Sequence, residues 1–481
     1  MLIQTKRRDI IWNYLGIFFS MALQVIWLPV LIYYLPPDIL GIWYVFLSIG
    51  AVVQLFDLGF NPTISHCVTY AWSGAIDLKK IGVIFTEGNR EPNYALMAGL
   101  WTACRYLYFG IAFAAAAAMA LGGTAYLKHI AFKYYSSELF CAWGIYIASV
   151  FANLYIGYYT VILRGIGDVS RANKANVIAK GAFLICGTAG LALGQGLVSL
   201  SVSYFLSGFI LRSLCKRYLL REHKFSEILK DYKSQTIYSK GHLLKTMWFN
   251  AWRDGLVTLT SFLNGQATVL LCSNFLSLYE TGIYSFSIQV INAITAIANA
   301  LMGAYSPAMQ SAYVTKNKSM AKDLYGKAMA GFYLVCLCGF MGFLLIGIPI
   351  ISFLRKDFVI NPEYFAIMAL ANFLFVRHRD SAWFISTMNK LPYTFSFTIF
   401  GILSITCTFI GLYFFNLQIW GLILIPFVCQ AAFNNWYWNF AVNKYLGTNE
   451  FKLISSGLLQ LKSKAYICIA KKLTKSKEKR L

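Results

Sequence analysis

Apolar stretches of some twenty residues, each long enough to cross roughly 30 Å of hydrocarbon, recur from one end of the chain to the other. They fall near 10–34, 39–60, 94–124, 138–162, 175–196, 199–217, 246–274, 282–306, 325–354, 363–387, 391–414 and 419–441. Runs such as IAFAAAAAMALGG and FLLIGIPIISFL lack the period-two alternation of a barrel strand, so the spans are predicted as helices, the segments that satisfy their own backbone in lipid. The polar segments between them are short. The longest, residues 218–245, carries basic residues and divides the spans into two sets of six.

The two sets resemble each other. At an offset of 241 residues, Asn13–Ile42 aligns with Asp254–Ile283. In both, a long helix and a short loop lead to Gly-Ile-aromatic at the start of the next helix (Gly41-Ile42-Trp43 and Gly282-Ile283-Tyr284). An even number of spans returns each half to the same side, so the halves are predicted to be related by an axis along the membrane normal. The expected architecture is all-α integral membrane, about 12 transmembrane helices in two six-helix lobes. The N-terminal lobe is residues 1–217, the basic connector 218–245, the C-terminal lobe 246–441 and a basic tail 442–481. In that tail, apolar residues at 454, 458, 461, 465 and 469 alternate with lysines, the pattern of an amphipathic helix on an anionic leaflet.

Composition agrees: 58% of the 481 residues are hydrophobic and 13% charged, about half the charge of a soluble domain. A net charge of +23 would point to nucleic acid in a soluble protein. Here its distribution explains it without nucleic acid. With the N-terminus inside, the outer loops hold only Lys128, Lys133, Arg355 and Lys356, while the cytoplasmic segments hold most of the other Lys and Arg. This bias places both termini in the cytoplasm. The eleven cysteines are scattered, and Cys336 and Cys338 have no His or acidic neighbour to complete a metal site. Arg164-Gly165-Ile166-Gly167 follows a helix and lacks a third glycine, so it is no dinucleotide loop. No cofactor is expected. The chain reads as a transporter, not an enzyme.

Charges inside spans cost about 2.5–3.5 kcal/mol each and ask for a reason. The tenth span carries Arg377-His378-Arg379-Asp380, with Arg377 about 14 Å from the cytoplasmic end at 1.5 Å per residue. Arg377 and Asp380 share a helix face and could pair, which leaves Arg379 as a surplus cation. Arg105 lies deep in the third span four residues after Trp101, a spacing that suits a cation–π contact. Arg253 and Asp254 open the seventh span. That pair could partly snorkel, and Lys180 and Arg212 stand near span ends. Asp57 ends the second span before Gly59 and Asn61-Pro62, as a helix terminator or as an ion site. Counted together, six cations outnumber three carboxylates, a balance that suits an anionic cargo such as a phosphate. The candidate cargo-binding set is Arg105, Lys180, Arg253, Arg377 and Arg379. The candidate ion-coupling or gating set is Asp57, Asp254 and Asp380.

The segment FDLGFNPTISHCVTYAWSGA, with LPPDILGIWYVFLSIGAVVQ before it, resembles the second-helix signature of Wzx-type flippases for lipid-linked polysaccharide repeat units. These belong to the multidrug/oligosaccharidyl-lipid/polysaccharide exporter superfamily. NYLGIFFSMALQVIWLPVLIYYL and YETGIYSFSIQVINAITAIANALMGAYSPAMQ are similar to further helices of that family, and the likeness covers most of 10–440. It implies that undecaprenyl-pyrophosphate-linked oligosaccharide, such as an O-antigen unit, passes from the cytoplasmic to the periplasmic leaflet of a bacterial inner membrane by alternating access. It also implies a proton or sodium gradient as the driving force, and a polysaccharide polymerase and chain-length regulator as neighbours in the membrane. Two rivals stand beside it: an exporter of amphipathic drugs on the same fold, which would favour an acidic cavity, and a membrane glycan polymerase or ligase, which would need a long outer loop.

Overall fold

The computed structural model describes residues 26–57, 60–78, 83–85, 91–134, 136–222, 240–303, 317–386 and 393–460, with a few positions between them (19, 22, 23, 225, 227, 305, 309 and 312). Among the described residues, nine helical segments are long and apolar enough to cross a membrane. The protein is an all-α, multi-pass integral membrane protein. The first span lies largely outside the described residues, as do the end of the eighth, most of the connector and residues 461–481.

The chain forms two compact units, Met1–Tyr284 and Ser285–Leu481. The first contains α1 (Pro37–Gln54), a tight turn at Leu55–Asp57, α2 (Phe60–Trp72) and a two-stranded ribbon, β1 (Ala75–Leu78) antiparallel to β2 (Val83–Phe85). There follow α3 (Tyr94–Ala118), α4 (Ser137–Tyr155), α5 (Tyr158–Gly165), α6 (Val169–Ala192), α7 (Gly196–Arg217), α8 (Lys240–Asn264) and α9 (Gln266–Phe275). The next helix, α10 (Leu278–Ala298), crosses the division. The second unit continues with α11 (Lys318–Gly342), α12 (Pro362–Ser386), α13 (Thr394–Phe415), α14 (Gln418–Ala432) and α15 (Asn434–Leu446), and ends in α16 over residues 450–460. The ribbon is absent from the sequence expectation. Asn93 braces it, its Nδ2 donating to Ala75 O at 3.0 Å while its Oδ1 caps α3 at Leu96 N, 2.9 Å away.

Three features refine the predicted spans. The seventh is broken at Gly265 into α8 and α9. It joins the first unit through Ser48 Oγ donating to Gln266 Oε1 (3.0 Å) and Tyr126 OH to Leu270 O (2.7 Å). The second span ends in the tight turn at Asp57, and a further helix, α2, begins at Phe60. The third and ninth spans share one construction. Each is an α-helix of 25 residues, a π turn of five (Met119–Gly123 and Phe343–Gly347) and a last helix of seven. At about 1.5 Å per residue, 37 residues reach well past the hydrocarbon on at least one side.

The repeat glycines meet each other. A Cβ on Gly41 would overlap Leu278 O, and a Cβ on Gly282 would overlap Pro37 O. The two contacts exchange under the repeat offset, the reciprocity of a twofold interface. Both obstacles are backbone, so neither helix can yield by changing a rotamer. Gly41→Leu is expected to lower the melting temperature of the purified protein, at a cost of about 1–3 kcal/mol as overpacking does. Leu at Gly110, where a Cβ would meet nothing within 4 Å, should leave it unchanged.

Candidate functional site

The first unit holds an open cavity of about 770 Å³ lined by both polar and apolar side chains. Its carboxylate is Asp57, 8% exposed, in the tight turn that follows α1. Asp57 Oδ2 accepts from Asn61 Nδ2 at 2.7 Å and Asn61 N at 3.3 Å, and Tyr108 OH donates to Asn61 Oδ1 at 2.9 Å. Asp57 thus caps the start of α2, and one of its oxygens is fully employed in doing so. Its other oxygen, Oδ1, is buried without a partner among the described residues.

Three cations line the same cavity. Arg164 ends α5, where the helix dipole favours a positive charge. Lys180 projects from the middle of α6 and Arg212 from α7. Among the described residues none of the three has a carboxylate within salt-bridge distance, and the Nε of Arg212 is buried without an acceptor. Asn153, Asn176 and Tyr204 complete the polar wall. Asn153 reaches it because Gly208 on α7 has no side chain to block its amide. With three cations facing one carboxylate, the cavity suits an anion.

In the second unit the charged row of α12 meets partners from elsewhere. Arg377, 0% exposed, does not pair with Asp380 as its helix spacing allowed. It forms a fork with Glu450 at the head of α16, Nη2 lying 2.6 and 2.7 Å from the two carboxylate oxygens and Nε 2.8 Å from one. Nη1 donates to Tyr325 OH at 2.9 Å and to Ser381 Oγ. All five donors of the guanidinium are therefore committed. Glu450 also accepts from Tyr333 OH and Asn443 Nδ2, each at 2.9 Å. Burial raises this carboxyl's proton affinity, but the Arg377 charge and these hydrogen bonds more than offset it, leaving it below the ordinary glutamate range.

Asp380 is buried and Arg379 exposed. Asn299 joins them when its amide is oriented to satisfy both, its nitrogen donating to Asp380 Oδ2 (2.6 Å) and its oxygen accepting from Arg379 Nη2 (3.1 Å). Arg105 is exposed on α3 and meets the Tyr155 hydroxyl, while the ring of Trp101 packs against Tyr158 and Tyr159. Arg253 and Asp254 sit on α8, but their side chains lie outside the described residues.

Of the predicted set, Asp57 and Lys180 share the first cavity with Arg212, a span-end residue outside that set. Arg164 was missed because it follows an apolar helix and looks cytoplasmic in the sequence. Its signal is the pair of asparagines nearby, Asn153 on α4 and Asn176 on α6, at span depths where amides are costly. Among the described residues no group of three His, Cys, Asp or Glu could hold a metal.

No protein-family model and no curated protein sequence matches the chain. Its fold does match solved structures. An inward-facing multidrug-resistance MATE transporter of the MOP superfamily aligns at 14% identity over 89% of this chain and 95% of its own, with a TM-score of 0.66. The lipid II flippase MurJ, in an inward closed conformation, aligns at 13% identity over 94% and 91%, with a TM-score of 0.60. A MOP superfamily transporter from Pyrococcus furiosus, described by the reverse polarity of its binding pocket, aligns at 14% over 92% and 96%, with a TM-score of 0.53. The chain has the fold of MOP-superfamily transporters.

Proposed function

We propose that the protein is a flippase for an anionic lipid-linked glycan, carrying a polyprenyl-pyrophosphate oligosaccharide from the cytoplasmic to the outer leaflet of a bacterial inner membrane, with both termini inside. The observation that carries this reading is the cavity of the first unit, where Arg164, Lys180 and Arg212 face the single carboxylate of Asp57. Guanidinium and ammonium groups with free donors bind phosphate oxygens, and Arg212, whose Nε is buried without an acceptor among the described residues, gains most when an anion arrives. Asp57, with one oxygen free, is the group that takes a coupling proton or sodium ion. The Asp57-Leu58-Gly59-Phe60 resemblance to Wzx-type flippases and the shared fold with MurJ agree with this cargo.

An exporter of amphipathic drugs is the second reading, favoured by the MATE neighbours. A cationic drug would enter a cavity with a surplus of positive charge at an electrostatic cost, which ranks this reading below the first. Cells lacking the protein should lose surface polysaccharide and accumulate completed lipid-linked repeat units facing the cytoplasm, with drug resistance unchanged. Normal surface glycan together with heightened sensitivity to cationic drugs would reverse the order.

A further inference from the structure

A second cavity, of about 420 Å³, opens in the first unit where three loops converge. They are the turn before α1 (Leu35, Pro36), the approach to α4 (Lys133, Tyr134 and Ser136) and the α6–α7 turn (Gly194 and Gly196). It adjoins the first residues of α1, Ile39 and Ile42, whereas Asp57 lies beyond the last. Eighteen helical residues separate these ends, about 27 Å at 1.5 Å per residue. The two cavities lie toward opposite ends of this helix, the first reaching Gly50 and the second Ile42. By the distribution of Lys and Arg, this one faces outward.

We propose that this pocket is a carbohydrate subsite, receiving a mono- or disaccharide portion of the cargo on the outer side of the membrane; the proposal rests on the flippase reading. A pyranose ring presents an apolar C–H face and a rim of hydroxyls, so its site needs an aromatic or aliphatic surface bordered by donors and acceptors. Both are present. Leu35, Ile39 and Leu139 make the floor, and the rings of Tyr34 and Tyr134 stand at the wall. Around the rim, the exposed Glu138 carboxylate offers acceptors, Lys133 offers three donors and the Ser136 hydroxyl offers one. Ser136 Oγ already accepts from Leu139 N at 3.1 Å, which leaves its O–H free to donate.

The rim is shaped for access. Gly194 (φ 75°) and Gly196 (φ 41°) take left-handed backbone that favours glycine. A side chain on Gly196 would lie 3.6 Å from Glu138 Oε1 and begin to cover it. The Tyr134 hydroxyl hydrogen-bonds Asp38, and burial with that contact raises its proton affinity, so the ring stays a neutral phenol. The volume falls within the roughly 300–1,000 Å³ of small-ligand pockets. Charges of both signs on water-facing loops disfavour an acyl chain, and Lys133 disfavours a cationic drug.

The test is saturation-transfer NMR on the full-length protein in lipid nanodiscs, with chitobiose, lactose and cellobiose as probes. At least one disaccharide should show transfer, falling about tenfold in both Tyr134→Ala and Glu138→Gln, since truncating a central aromatic contact commonly costs that much. Melting temperatures should stay unchanged, and Arg212→Ala should keep the full signal. If Tyr134→Ala fails to fold, Leu197→Trp, which plugs the pocket, serves in its place. No transfer from any of the three sugars, or equal transfer in the variants, overturns the subsite. Surface polysaccharide separates the two claims: retained in Arg212→Ala, it defeats the flippase reading itself, whereas its loss there with unaltered sugar binding in the pocket variants defeats the subsite alone.

Discussion

Replacing Glu450 by Ala should sharply lower the abundance of the protein, even though the residue lies outside every span. Its carboxylate is the partner of a fully buried guanidinium. Removing one member of such a pair leaves a buried charge unmatched, at about 3–5 kcal/mol, a large fraction of the whole stability of a typical protein. The same segment clasps the second unit in other ways. Leu453 is 0% exposed, Gly457 sits against the backbone of Gly326 and Gln460 Nε2 donates to Asp323 Oδ1 at 3.1 Å. Over 450–460 the tail is thus a helix docked on α11 by one face, while Leu458, of the apolar stripe, stays exposed on another.

Arg377→Ala should fall to a similar degree, and Arg377→Met with Glu450→Leu should recover much of the loss, because an apolar pair removes both charges together. Adding Asp380→Ala to Arg377→Ala should restore nothing, since Asp380 is held by Asn299. Glu450 binds its proton less readily in the fold than in the unfolded chain. Its contribution is complete above the unfolded value of about 4.5 and is lost as pH falls through the lower folded value. Wild-type protein should therefore lose thermal stability below about pH 4.5 by more than Glu450→Gln does. Thermal melting across pH measures both. Recovery of Arg377→Ala by Asp380→Ala would contradict the fork.

The second large effect belongs to the cavity of the first unit. Lys180→Ala with Arg212→Ala should abolish most surface polysaccharide while abundance stays near normal. Neither side chain has a carboxylate partner to strand among the described residues, so removing it should relieve a half-buried cation and not disrupt a pair. Each charge-assisted hydrogen bond to a phosphate oxygen contributes about 1.5–3 kcal/mol, so losing one should slow transport roughly tenfold or more and losing two far more. Arg212→Lys should fall between, since an ammonium keeps the charge and loses the fork. Arg379→Ala, changing an exposed residue of the second unit, reports on cargo contacts outside this cavity.

What the sequence revealed and what it hid divide along physical lines. Long apolar helices were legible because every residue of a span reports the same solvent. The glycines at 41 and 282 were legible as a repeat, although only the structure brings each against the other's backbone. The breaks were not. Gly265 looks like any other glycine in an apolar run, and the π turns at Met119–Gly123 and Phe343–Gly347 change one register without changing composition. Local spacing suggested Asp380 for Arg377, and only the return of the chain after α15 brings Glu450 to it. Asp57 was visible because a carboxylate at span depth is rare. Its three cationic neighbours come from three different helices, Arg164, Lys180 and Arg212, and no linear pattern joins them.

The central claim is that this cavity carries a pyrophosphate lipid, and reconstituted proteoliposomes test it most directly. Fluorescent polyprenyl-pyrophosphate oligosaccharide placed in the inner leaflet should become accessible to an external glycosidase at a rate that depends on the protein. That rate should fall at least tenfold in Lys180→Ala with Arg212→Ala, and wild-type protein should not accumulate ethidium under the same gradients. Ethidium transport that persists in the double variant, with no protein-dependent exposure of the glycan, would contradict the claim.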